Sequence, residues 1–186
     1  KKFFKENTGH FWGMIETRPY MRAKQGLAQC LWTLGKKEDA ILQFKELLKL
    51  NPHDNQGNRE FYISCLLELK KYDDVEQILK DYNDDGMIYW AYTDALLSFI
   101  KNGETEKSNK KLKDAFNRNK YVIHYLTGQK NLPKYPPQMI GFETEDEAIC
   151  YAFDNKKNWK NTSGAIEWLK SHVGIKVLPN AGRNDP

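Results

Sequence analysis

The chain has 186 residues, of which 40% are hydrophobic and 29% charged, with a net charge of +4. This balance supports one compact domain or a short repeat array, and it excludes the low-hydrophobicity, high-charge profile of a disordered chain. Lysines are interspersed with Asp and Glu and form no long basic block, which argues against a dedicated nucleic-acid binder. Apolar runs are only a few residues long, too short for a membrane span, and no signal peptide is legible. Three widely spaced cysteines, Cys30, Cys65 and Cys150, fit neither a disulfide framework nor a zinc site. All three fall in apolar helical stretches, so they read as small buried hydrophobes in a reducing cytoplasm. The first residue is Lys1 rather than Met, as expected of a piece of a longer protein.

In chain order, residues 1–18 carry Phe3, Phe4, Phe11, Trp12, Met14 and Ile15. That is too apolar to stay in water, and it predicts an N-terminal cap. Residues 19–126 then read as three helix pairs, at 21–54, 55–88 and 89–122. In the first pair Pro19 suits an opening helical turn, where its missing N–H is not needed. Leu27, Ala28, Leu31 and Leu34 recur at helical spacing, and Gly35 stops the helix. Ala40, Ile41, Phe44, Leu47 and Leu48 form the next stripe, and Asn51-Pro52 ends it. The pattern returns in the third pair, where Gly103 follows Gly35 by 68 residues, twice a 34-residue period. Ser108 and Ala115 repeat Ala40 and Leu47 at the same offset. The middle pair is looser, with Lys70-Lys71 where the turn glycine belongs.

Residues 127–143 are rich in Gly and Pro and read as an extended connector. Thr144 to Glu147 has the spacing of a capping box. It opens a helical hairpin over 144–172 that closes the array. Residues 173–186 lack periodicity and read as a flexible tail.

This order of residues resembles the tetratricopeptide repeat. The small residues that repeat needs where its helices touch are Ala28 and Ala40, its aromatic is Phe44 and its proline is Pro52. The usual Trp of the first helix is replaced by Lys24. The segments Gly9–Ala23 and Leu50–Arg59 resemble a group of bacterial tetratricopeptide proteins with no established activity. Glu145–Leu169 is similar to part of the suppressor-of-tumorigenicity proteins of animals. The resemblance implies an all-α solenoid of about three helix pairs, with an N-terminal cap and a C-terminal helical hairpin. Its expected use is to hold a protein or peptide in a concave groove.

No nucleophile elbow, P-loop or dinucleotide fingerprint occurs, and no pair among His10, His53, His124 and His172 has metalloprotease spacing. Neither enzyme activity nor a cofactor nor a metal is therefore expected. The acidic run Glu143, Glu145, Asp146, Glu147 favours a helix N-terminus. The candidate partner-binding residues are polar groups at the starts of the first and second pairs: Arg18, Arg22, Asn55, Gln56 and Arg59. Glu16 and Asp54 are expected to orient them. Guanidinium groups point to an acidic group on the partner, because their planar fork bonds both carboxylate oxygens. Trp90, Thr93 and Asp94 stand at positions that face the groove in such repeats, and Trp90 and Tyr92 are expected to add apolar contact further along. Two alternatives stay open. The cluster could instead be an ion-pair network locking the cap, or the site of an accessory or catalytic domain built on Glu16, Arg18, Arg22, Asp54 and Arg59. The carboxylate clamp of chaperone-binding repeats is unmatched, since Gln25, Gln29 and Asp94 stand where it uses Lys, Asn and Arg.

Overall fold

A computed structural model describes residues 2–172, and the tail reading for 173–186 lies outside them. The described residues are helical with no strand. The elements are α1 (Lys2–Asn7), a 3-10 turn (Ile15–Thr17), α2 (Arg18–Thr33), α3 (Lys37–Leu50), α4 (Asn58–Glu68), α5 (Tyr72–Asp81), α6 (Ile88–Asn102), α7 (Glu106–Arg118), α8 (Tyr121–Leu126), α9 (Glu145–Asn161) and α10 (Ala165–His172). The described residues divide into two compact units, one up to Ile78 and one from Leu79 onward.

In the first unit α2 packs along α3, and α3 also packs on α4. Ala28 and Ala40 are wholly buried, where side chains no larger than a methyl let helices approach closely. Phe44 fills the space beyond and meets Phe61 and Tyr62 at ring distances of 5.5 and 6.1 Å. Lys24, standing where a Trp was expected, is buried and spends its ammonium on Gln43 Oε1 (2.6 Å) and the Glu46 carboxylate. The N-terminal segment is tied down by Phe11, which is buried and donates its N–H to the Leu50 carbonyl at 3.2 Å.

Two expectations for α2 are corrected. Leu27 and Leu34 are 49% and 73% exposed, and Cys30 is exposed with them. Only one stripe of α2, through Met21, Lys24 and Ala28, faces α3 and the core. The leucines and Cys30 lie on the opposite side, although their spacing is equally helical. Cys65 and Cys150 are buried as expected.

The turns after α2 and α4 each need a residue in the left-handed region to end one helix and admit the next. Gly35 supplies it after α2 with φ of 77°, whereas Gly103 ends α6 differently, at φ 68° and ψ −158°. After α4 Lys70 adopts φ 57° in the place of a glycine. A lysine there costs about 1–2 kcal/mol that glycine does not.

In the second unit α6 packs against both α7 and α9, α8 packs on α9, and α10 rests on α7 and α9. An aromatic column holds these helices together. Phe99 stacks on Trp168 at 4.5 Å, Trp168 lies 6.2 Å from Trp159, and Tyr92 is within 6.4 Å of Trp159. Each indole in the column finds a partner. Trp159 Nε1 donates to Tyr151 Oη (2.9 Å) and Trp168 Nε1 to Asn109 Oδ1 (2.7 Å).

Candidate functional site

The polar residues at the start of the first two pairs separate into two groups. Asp54 is buried at a left-handed position, φ 45°. Its two carboxylate oxygens accept the backbone N–H groups of Asn58 (3.0 Å) and Arg59 (2.8 Å), the first two of α4. Those donors have no partner within the helix, so Asp54 is a helix cap. Burial pushes its carboxyl above the usual range, while these N–H groups and the nearby Arg59 charge pull it down. The Arg59 guanidinium stays within 3.4 Å of the same carboxylate. Gln56 bonds Gln25 through Nε2 to Oε1 at 3.0 Å, and Asn55 is exposed.

Arg18 and Arg22 form the second group. Both lie one turn apart in α2, with guanidinium carbons 5.4 and 5.7 Å from the centre of the Trp12 ring. Arg18 also donates from Nε to the Trp12 carbonyl at 3.0 Å. Neither arginine has a carboxylate of the described residues within ion-pair reach. Arg22 is exposed, and Glu16 is exposed nearby in sequence without forming an ion pair. Trp12, part of an N-terminal segment read only as a cap, is the residue that sequence reasoning missed at this site. Its place ahead of two arginines spaced one turn apart was the available signal. Beside Arg22 the exposed face of α2 continues as Ala23, Leu27, Cys30 and Leu34, an apolar stripe at i, i+4, i+7 and i+11.

Trp90, Tyr92 and Asp94 lie in the second unit, and the expectation that the two rings line an open groove is corrected. Trp90 is 5% exposed and Tyr92 is wholly buried. The Tyr92 hydroxyl donates to the Asn119 carbonyl at 2.7 Å, and its ring lies 5.5 Å from Tyr151. Trp90 lies 6.1 Å from the Tyr82 ring, whereas Tyr92, about 200° around the helix, is covered by α9. Tyr89 joins the same contact by donating to Asp154 Oδ2 at 2.7 Å. Asp94 is held by Lys111 Nζ at 2.6 Å.

The acidic run at the start of α9 is architectural. Thr144 Oγ1 accepts the Glu147 N–H (3.3 Å), as a capping box requires. Glu147 itself is wholly buried. It accepts from the backbone N–H of Ile88 (3.0 Å), the first residue of α6, and of Glu143 (2.8 Å), and Asn119 Nδ2 lies 3.4 Å away. Among the described residues no three His, Cys, Asp or Glu gather to hold a metal ion. No helix among them is long and apolar enough to cross a membrane.

Asp154 makes stability depend on pH. Burial lifts its carboxyl from the usual 3.8 to about 6, against the pull of the Tyr89 hydroxyl. The folded state therefore holds this proton to higher pH than the unfolded chain does. Stability falls as pH rises from about 4 through 6, and the full cost, on the order of 3 kcal/mol, is present above that window. Asp154→Asn keeps an oxygen for Tyr89 and removes the charge. The variant should melt about 6–12 °C above the parent at pH 7.5 and close to it at pH 4. Equal melting temperatures at pH 7.5 would refute this account of Asp154.

Comparison with known proteins decides the family. The profile of the ST7 protein family matches residues 15–179. The chain belongs to that family. Among its relatives, the suppressor of tumorigenicity 7 protein-like of Rattus norvegicus is 31% identical over 180 residues, covering 83% of this chain and 31% of that protein. The suppressor of tumorigenicity 7 protein of Macaca fascicularis is 30% identical over 173 residues, covering 83% and 32%. The protein-like relative of Gallus gallus is 29% identical over 179 residues, covering 83% and 31%. The chain thus spans about a third of the length of the curated relatives it matches. The family match extends the expected likeness from Glu145–Leu169 to nearly the whole chain. The relatives named are vertebrate, and a bacterial grouping finds no counterpart among them. No solved structure matches.

Proposed function

We propose that this segment of the ST7 family is a tetratricopeptide-like interaction module, and that its first unit binds an acidic segment of a protein partner on the exposed face of α2. The observation that carries the reading is the pair Arg18 and Arg22, stacked on Trp12 with no ion-pair partner of their own beside an exposed apolar stripe. A guanidinium resting on an aromatic face is held in place yet keeps its edge donors for a carboxylate. Leu27 and Leu34 then offer apolar contact to the same segment, with Asn55 and Gln56 as further polar candidates. Glu16 is available to orient Arg18 or Arg22, whereas Asp54 and Arg59 serve mainly the start of α4. The repeat reading is supported by turns of one kind at Gly35 and Lys70, and by wholly buried small residues at Ala28, Ala40 and Ser108. A cytoplasmic setting belongs to the same proposal, resting on the free thiols of Cys30, Cys65 and Cys150.

The test is Arg22→Ala, assayed against a library of peptides that end in a free carboxylate. Arg22 is exposed, so the melting curve should stay within about 2 °C of the parent while peptide affinity falls about tenfold. Added salt should weaken capture by the parent. A destabilised variant whose folded fraction captures peptide normally would show that Arg22 only anchors the cap.

A further inference from the structure

A second surface of the first unit has the features of a docking groove. α3 carries two stripes. One, through Ala40, Ile41, Phe44, Leu47 and Leu48, is buried against its neighbours. The other runs along the outer side through Leu42, Lys45, Lys49 and Leu50, at i, i+3, i+7 and i+8. Beside this outer stripe, Phe4 and Lys5 of α1 form a facing wall and leave an open groove of about 900 Å³. Leu50 is its buried floor, while Leu42 is 61% exposed and Phe4 38% exposed. The wall is fixed in place. Phe4 packs on Phe11 and Tyr20 at ring distances of 4.9 and 5.2 Å, and Phe11 is itself bonded to the Leu50 carbonyl.

The charges at the groove are one-sided. Lys5, Lys45 and Lys49 form no ion pair among the described residues. The one carboxylate in the lining, Glu46, is already held by Lys24. The groove therefore presents an apolar strip edged by unneutralised ammonium groups. From Leu42 to Leu50 the strip runs eight residues of α3, about 12 Å, or just over two turns of a helix. Lys45 and Lys49 are separated by one turn.

We propose that this groove docks an acidic amphipathic helix of a partner protein. Apolar residues at i, i+4 and i+7 of the guest lie along Phe4, Leu42 and Leu50, and carboxylates one turn apart meet Lys45 and Lys49. An enclosed tunnel would suit an acyl chain; this groove is open to solvent along its length. The site is distinct from the α2 face, and it is tested separately.

The experiment titrates the full chain into a labelled synthetic peptide with leucines at i, i+4 and i+7 and glutamates flanking them, read by fluorescence anisotropy. A scrambled peptide of equal composition is the control. Binding of the patterned peptide, at least about tenfold tighter than the scrambled one, is expected. Leu42→Glu should abolish that preference, and Lys45→Glu with Lys49→Glu should weaken binding about tenfold or more. Both sets change exposed side chains, and circular dichroism of each variant should match the parent. Arg22→Ala should leave this binding unchanged, which separates failure here from failure of the α2 reading. Equal binding of the scrambled peptide, or full binding by Leu42→Glu, would overturn the proposal. So would capture of phosphatidylserine vesicles through the same lysines with no binding of the patterned peptide, since the groove would then serve a lipid surface.

Discussion

Ala40→Arg is expected to unfold the first unit at ordinary temperatures. Ala40 has no exposure, and it lies on α3 where α2 packs against it. A guanidinium forced into that contact finds no carboxylate arranged to receive it and must either separate the helices or give up its hydration. The cost is at least about 4 kcal/mol, a large share of the stability of any domain. In a thermal melt followed by circular dichroism, the first unit should lose its transition or shift it down by about 10 °C or more. Leu42→Arg is the control. It adds the same side chain two residues along the same helix, on the exposed face, and should move the melting point by no more than about 2 °C. If Ala40→Arg behaves like its control, the pairing of α2 with α3 described above is wrong.

Glu147→Ala should be nearly as damaging in the second unit, for a different reason. Nothing bulky is introduced. Two backbone N–H groups, those of Ile88 and Glu143, lose their acceptor inside the protein, and Asn119 loses one of its polar neighbours. Hydrogen bonds to a charged acceptor contribute about 1.5–3 kcal/mol each, so the expected loss is about 3–5 kcal/mol. Glu147→Gln should recover only part of it. Both carboxylate oxygens accept backbone N–H groups, and an amide offers one acceptor and one donor. Hydrogen exchange gives the sharpest readout, with the amides of Ile88 and Glu143 losing protection before the rest of α6. Unchanged protection at Ile88 in Glu147→Ala would contradict the assigned role.

The helices with a strong apolar period were legible in the sequence. The period and the stop at Gly35 predict a first helix and a second with its stripe from Ala40, and α2 and α3 run Arg18–Thr33 and Lys37–Leu50. The helix opened by Thr144 was equally plain, because the cap residue states its own chemistry. α8 was missed: six residues, Tyr121–Leu126, are too few to show a period. Which face of a helix is buried was less legible. The stripe through Leu27 and Leu34 was read as core and is exposed, while Trp90 and Tyr92 were read as groove contacts and are buried. Periodicity reports that a helix has an apolar face. It does not report what covers that face, which depends on residues far along the chain. In the second unit α9 supplies that cover for Tyr92, and Tyr82 meets Trp90. At the polar cluster, residue type and spacing brought out the arginines, whereas the division of labour between Asp54 as a cap and Trp12 as a platform needed coordinates.

The bond between Glu147 and the Ile88 N–H spans 59 residues of chain. During synthesis the opening turn of α6 is made long before its cap exists. At 5–20 residues per second the delay is roughly 3–12 s, far longer than a helix or a hairpin takes to form. For that interval the face that carries Tyr89 and Tyr92 has no α9 to lie against, and a nascent chain stalled before residue 147 cannot close it. The second unit is therefore completed from its C-terminal end. A chain paused before α9 is made leaves Tyr89 and Tyr92 without that cover, where chaperones that recognise exposed aromatic residues would meet it.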